Sequence, residues 1–342
     1  MAREIREAPA RVAALLTDGR SEVSDAAAAI ATAAPRWATI AGRGTSDHAA
    51  TFGRYLLETH LGMPTGLAAP SLTSEFRAPL DWHGGLLIAV SPSGESPDVV
   101  AVTEAARVGG AVTVAVTNAT TSPLAGAAEW VIDCRSGPER SVAATKTYVN
   151  ELVVLAALAG RIRPDAELAS GLDGVPDALA RSIERAERWL ASTAIVDEFA
   201  AADRALVVSR GYNLATALEI ALRLTETCGL FADGYSTADL EHGPVALAAH
   251  DVPSLAIRPP GDMGARVDDV VARLATGGRA SWSIDAGAAT EDRVLGLELD
   301  LPDALSPAAF VLPGQLLAEA VARRRGLDPD APRGLTKITF TS

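Results

Sequence analysis

The feature that most narrows what this chain can fold into is an internal repeat. IAGRG at Ile40–Gly44 aligns with VVSRG at Val207–Gly211, an offset of 167 residues. At the same offset Pro92 and Gly94 of AVSPSGE fall on Pro259 and Gly261 of AIRPPGD. Gly109-Gly110 falls beside Gly277-Gly278, one residue further along. Three landmarks in register define two copies of one unit. Short β-branched runs alternate with longer amphipathic ones around them, the pattern of βαβ units and a parallel sheet. Trp37–Ala41 and Leu86–Val90 read as buried strands, each followed by a turn and a helical segment, and Val112–Val116 and Trp130–Asp133 continue the alternation. Near 160–195 the sequence turns polar and helix-forming, as a connection between halves. The expected fold is α/β: two tandem, doubly wound parallel sheets flanked by helices. The expected domains are 1–170 and 171–342.

The two copies differ where a ligand would bind. Ser91-Pro92-Ser93-Gly94-Glu95-Ser96 becomes Arg258-Pro259-Pro260-Gly261-Asp262-Met263, and every hydroxyl is lost. Only the first copy therefore keeps a hydroxyl-rich loop. Gly42-Arg43-Gly44-Thr45-Ser46 has the same character one strand earlier. It is not a dinucleotide fingerprint, because the third glycine would fall on Asp47, and no Walker A lysine follows. Thr45 and Ser46 stand at a helix start, where free N–H groups favour an anion, although either also reads as a plain N-cap. Ser96 reads as an N-cap with Pro97 at the first helical position. One cap needs one hydroxyl, yet this loop carries three at the carboxyl end of a strand, where open α/β sheets bind ligands. Two such loops would surround a phosphate with hydroxyls and amides.

Charge bounds the partners. Thirty Lys and Arg against 43 Asp and Glu leave −13, a poor match for nucleic acid or anionic lipid. No apolar stretch approaches the roughly 18–20 residues that span a bilayer, and the N-terminus has no signal-peptide pattern. Cys134 and Cys228 make neither a disulfide framework nor a cysteine zinc site. These features predict a cytoplasmic protein without nucleic-acid or membrane partners.

The second copy carries ionisable groups. Glu219, Arg223 and Glu226 lie on one helical face. Such spacing usually means an exposed salt-bridged face, but the apolar neighbours Leu218, Ile220, Leu222 and Leu224 also fit a buried carboxylate of raised pKa. His242 sits in a loop signal, Asp239–Pro244. Lys337, near the C-terminus in Arg333–Ile338, reads locally as an exposed, inert lysine.

Together these segments resemble the sugar isomerase (SIS) family, most closely the isomerase half of glucosamine-6-phosphate synthase. The carrying motifs are GRGTSDHA, SEFR (Ser74–Arg77), SPSGES, VAATK (Val142–Lys146), ALEIALRLTE, DLEHGP and PRGLTK, in the family's order over nearly the whole chain. The resemblance implies two flavodoxin-like SIS domains, a homodimer with sites at the subunit interface, and a hexose 6-phosphate substrate, usually an amino sugar. By motif, Thr45, Ser46, Ser91, Ser93 and Ser96 would bind the phosphate. Glu226 would carry a proton between C1 and C2, His242 of the other subunit would assist ring opening, and Lys337 would form a Schiff base with the ketose. Gly44, Glu75, Val142, Arg223 and Thr336 would complete the substrate site. No metal or other cofactor is implied.

Departures from the synthase pattern direct the functional expectation. A chain that begins at Met1-Ala2-Arg3 leads straight into the helix before the SIS region, without the glutaminase domain. The resemblance then implies the reverse direction, amino-sugar phosphate plus water to ketose phosphate plus ammonia. Pro92, Ala144 and Arg223 stand where the synthase has glutamine, serine and lysine. A fructosamine-6-phosphate deglycase, the isomerase component of a glutamine-independent aminotransferase, and a phosphosugar sensor are the alternatives.

Overall fold

A computed structural model describes residues 1–250, 252–275 and 281–337. Gly277-Gly278 and Ile338, both named above, lie outside the described residues. The N-terminal sheet comprises β1 (Trp37–Ala41), β2 (Thr65–Leu67), β3 (Gly85–Val90), β4 (Val112–Thr117) and β5 (Trp130–Asp133). The C-terminal sheet comprises β6 (Arg204–Ser209), β7 (Phe231–Ser236), β8 (Ser254–Arg258), β9 (Trp282–Asp285) and β10 (Val294–Gly296). Their orders are β2-β1-β3-β4-β5 and, read from the other edge, β7-β6-β8-β9-β10. All the strand pairs within both sheets are parallel. This one order, used twice, is the flavodoxin-like one. β1 and β6 begin 167 residues apart, so the repeat in sequence is a repeat in fold.

The chain packs as two compact units that interleave in sequence. One unit is Ala10–Glu139 with Lys146–Asp173 and the described tail residues Thr336 and Lys337; the other is Met1–Pro9, Arg140–Thr145 and Gly174–Leu335. The N-terminal helix begins in the unit of the C-terminal sheet, where the buried Glu4 carboxylate accepts the amides of Arg140 and Ser141.

Burial explains the strands. All six residues of β3 are buried, as expected of a central parallel strand covered on both faces. In the other unit, alternate residues separate two faces. Leu206, Val208 and Tyr235 join a cluster with Leu240, Val267, Val270 and Leu274. Gly234 faces the opposite way: a Cβ there would lie 2.7 Å from the Leu218 Cα of helix Leu214–Cys228.

One expectation fails. The segment Asp303–Arg324 is 22 residues long with mean hydropathy 1.3, long and apolar enough to cross a membrane by length and composition. The 18-residue window that sets this hydropathy is 89% buried, and the helix Ser306–Arg324 packs against Leu214–Cys228 and Ile195–Ala201. Gly314 allows the closest approach, since a Cβ there would fall 2.3 Å from Ile220. The apolar run was hidden in the sequence by Pro313 and Gln315, both of which are buried.

Candidate functional site

In the unit of the N-terminal sheet, strand order reverses between β1 and β3, so the loops leaving these adjacent strands open a crevice. The first loop runs from Gly42 to Ser46. A Cβ on Gly42 would stand 2.5 Å from the Ser46 carbonyl oxygen, and Gly44 takes φ of +53°, so both glycines are required by the turn. Gly44 is itself the N-cap of helix Thr45–Leu56, with no side-chain cap. Thr45 and Ser46 therefore begin the helix rather than cap it. The Ser46 hydroxyl is buried and donates to Glu151 Oε1 at 3.0 Å.

The second loop carries Ser91, Ser93 and Ser96. Gly94, at φ +63°, packs so closely that a Cβ would meet Ser122 Oγ at 2.0 Å. Ser96 is the N-cap of helix Pro97–Val108 but makes no side-chain cap bond. Ser93 Oγ accepts the Glu95 amide. The Ser91 and Ser96 hydroxyls donate no hydrogen bond among the described residues, although Ser91 is only 5% exposed. Neither hydroxyl oxygen is sealed from solvent, so both donors stand open at the switch point, where sheets of this kind bind ligands.

Charge in this crevice is concentrated in one pair. Arg43 Nε and Nη2 lie 2.7 and 2.6 Å from Asp98 Oδ2, and Asp98 is 1% exposed. Asp47, beside Ser46, has its carboxyl raised above the ordinary range by burial, with His48 and Arg43 opposing the shift. Sequence reasoning missed the Arg43–Asp98 and Ser46–Glu151 contacts. The signal that bears on the first is the repeat: Arg43 has its counterpart in Arg210, whereas Asp98 is replaced by Ala265.

The same unit holds Lys337, whose Nζ stands 3.3 Å from Glu139 Oε2. Glu139 also accepts the Thr147 amide in the first turn of helix Lys146–Ile162. Thr336 is exposed beside it, and Glu75 is exposed after the short helix Ser71–Ser74, next to Phe76 and the left-handed Arg77.

The other unit contains Val142, Arg223, Glu226 and His242. The Val142 amide donates to the Asp330 carbonyl. Arg223 is buried on helix Leu214–Cys228, with Nε 2.8 Å from Glu219 Oε1 and Nη1 2.9 Å from Glu226 Oε2. Glu219 is fully buried, whereas Glu226 is 23% exposed. Glu226 is thus the carboxylate within reach of a ligand, and Arg223 fixes its direction. His242 is exposed at the end of helix Thr237–Glu241. That helix buries Leu240 on the sheet face opposite to the one covered by Leu214–Cys228. The C-terminal sheet therefore separates the elements bearing Glu226 and His242 within one chain. No cluster of metal-ligating side chains occurs among the described residues.

Comparison with known proteins agrees with this architecture. The SIS domain profile matches residues 35–161. Glutamine–fructose-6-phosphate aminotransferase (isomerizing) of Methanothermobacter thermautotrophicus is 37% identical over 308 residues, 86% of this chain and 50% of that protein. The chain spans about half the length of the curated relatives it matches. A crystal structure from Silicibacter pomeroyi DSS-3, assigned as a phosphosugar isomerase, is 35% identical with a TM-score of 0.87, covering 96% of this chain and 99% of that one. The C-terminal domain of glucosamine–fructose-6-phosphate aminotransferase from Francisella tularensis shares the fold at 23% identity, with a TM-score of 0.82 and 96% of each chain covered. The chain belongs to the SIS family of phosphosugar isomerases and is homologous to the isomerase half of glutamine–fructose-6-phosphate aminotransferase.

Proposed function

We propose that this protein isomerises an amino-sugar 6-phosphate, converting glucosamine 6-phosphate and water to fructose 6-phosphate and ammonia. The observation that carries the reading is the asymmetry of the repeat: two like-wound sheets, of which only one keeps hydroxyl loops with open donors at its switch point. A phosphate there is remote from C1 and C2, so its binding energy serves to position the reacting carbons.

In the open-chain sugar, Glu226 removes the C2 proton and returns it to C1, while a proton reaches the C1 oxygen. The aldehyde becomes a hydroxymethyl group and the C2 amine becomes an imine. Lys337 exchanges with that imine, releasing ammonia, and water then frees the ketose. His242 opens the pyranose ring as the acid/base group beside the ring oxygen. The sheet between the Glu226 and His242 helices favours a homodimer in which the histidine acts on the other copy's substrate. Domains divided near 170, with Glu226 and His242 on the second, fit this division of labour.

A second reading follows from the named relatives: the chain acts as the isomerase half of an aminotransferase, making glucosamine 6-phosphate from fructose 6-phosphate and ammonia. One assay in both directions separates them. Purified protein with glucosamine 6-phosphate should release ammonia and fructose 6-phosphate in equal amounts. Formation of glucosamine 6-phosphate from fructose 6-phosphate and ammonium, with no measurable reverse flux at high amino sugar, would favour the second. Turnover in neither direction would overturn both.

A further inference from the structure

Hydroxyls and helix-start amides favour an anion only through dipoles, and a guanidinium adds charge-assisted bonds to that preference. The crevice between the β1 and β3 loops does contain one fixed cation. Arg43 is half exposed, and its Nε and Nη2 both reach Asp98 Oδ2. Asp98 Oδ1 is engaged by the Val99 amide. The carboxylate is thus fully used and buried, and it holds the guanidinium by one edge across the two loops. On the opposite edge, Nη1 makes no hydrogen bond or ion pair with the described residues.

The repeat shows that this arrangement travels with the hydroxyls. At the same offset Arg210 keeps the arginine but donates to the Thr237 hydroxyl, with Ala265 in the place of Asp98. Ser91 is replaced by Arg258, which is neutralised by Asp268 and Asp285. Anchored arginine and hydroxyl loops occur together in one copy and are lost together in the other.

We propose that Arg43 is a specificity-determining residue: anchored by Asp98, it turns its outer edge to the sugar's 6-phosphate and selects phosphorylated over neutral hexoses. This rests on the reading of the loops as a phosphate site. A planar guanidinium held at one edge loses little further freedom on meeting a phosphate and adds charge-assisted bonds. The Arg43–Asp98 pair carries no net charge, so what it offers an anion in a chain of charge −13 is short-range, charge-assisted donors on the guanidinium's outer edge, while distant carboxylates are screened.

The test is calorimetric binding of fructose 6-phosphate and of fructose to the full chain, with variants confirmed as folded by circular dichroism. Arg43→Ala should weaken fructose 6-phosphate binding about tenfold or more, leave the weak binding of fructose unmoved, and flatten the dependence of affinity on salt. Arg43→Gln, which keeps a donor towards Asp98 without charge, should behave the same way and serves if the alanine variant does not fold. Asp98→Asn, which loosens the arginine but keeps its charge, should lose much less affinity and retain the wild-type salt dependence. Equal losses in the Arg43 and Asp98 variants would overturn the proposal, because the pair would then only tie the loops together. Unchanged affinity in Arg43→Ala would overturn it as well. A wild-type protein that binds no fructose 6-phosphate would overturn the phosphate reading itself.

Discussion

Replacing Arg223 by leucine should damage stability and activity by separable routes. Arg223 is 1% exposed and Glu219 is fully buried, so solvent screens their contact little. Charges roughly 4 Å apart attract by about 4 kcal/mol at an effective dielectric constant near 20. Removing one partner of a buried pair costs about 3–5 kcal/mol, because the other charge is left uncompensated. For a unit of this size that lowers the melting temperature by roughly 6–20 °C. The second contact, to Glu226, is partly exposed and adds roughly 1 kcal/mol or less. Substituting Glu219 by leucine as well removes the orphaned charge, so Glu219→Leu with Arg223→Leu should recover most of the lost stability. Turnover should not recover, since Glu226 remains without the guanidinium that directs it. Differential scanning calorimetry and the ammonia-release assay read the two effects on the same preparations. An Arg223→Leu protein melting within about 2 °C of wild type, or a double variant no more stable than the single one, would refute the reasoning.

Other outcomes follow from single features. Gly94→Ala places a Cβ against Ser122 at a left-handed φ, and should cost roughly 1–3 kcal/mol in urea unfolding and weaken phosphosugar binding. Burial raises the Cys134 thiol well above its ordinary value and the Cys228 thiol to about 11; neither should react with a disulfide reagent at pH 8 until the protein is unfolded, when both should. The hydrogen bond with Asp233, helped by burial, raises the Tyr235 phenol from about 10 to about 12. Its contribution is intact below pH 10 and lost as the pH rises to 12, so Tyr235→Phe should lose less stability than wild type across that window in thermal melts. Borohydride with fructose 6-phosphate should trap a covalent adduct by mass spectrometry that is absent in Lys337→Arg.

The repeat carried most of the fold because its landmarks are sterically fixed. Gly42, Gly44 and Gly94 hold turns that no other residue fits, and the β1, β3 and β4 runs are apolar on both faces. The short β2 and β10, of three residues each, offer too little pattern to be seen. β7, FADGYS, is broken by Asp233, Gly234 and Ser236 at a sheet edge and lacks the apolar run of a central strand. The interleaving of Met1–Pro9 and Arg140–Thr145 with the C-terminal sheet depends on the Glu4 carboxylate meeting two amides 136 and 137 residues away. The serines of both loops were legible as a cluster because loop composition is local. Arg43 and Asp98 were not, since 55 residues separate them and nothing in either neighbourhood marks the pairing. Ser46 was read as an anion-binding or N-cap hydroxyl, and its bond to Glu151, on a helix more than a hundred residues later, has no local signal.

The central claim is that one carboxylate moves a proton between adjacent carbons of a bound sugar phosphate. Glucosamine 6-phosphate carrying deuterium at C2, turned over in ordinary water, reports on it directly through mass spectrometry of the fructose 6-phosphate. Transfer through Glu226 predicts partial retention of deuterium at C1, the remainder exchanged with solvent, and no product from Glu226→Gln, although that variant still binds the sugar phosphate. Turnover by Glu226→Gln at the wild-type rate would exclude this carboxylate and contradict the account.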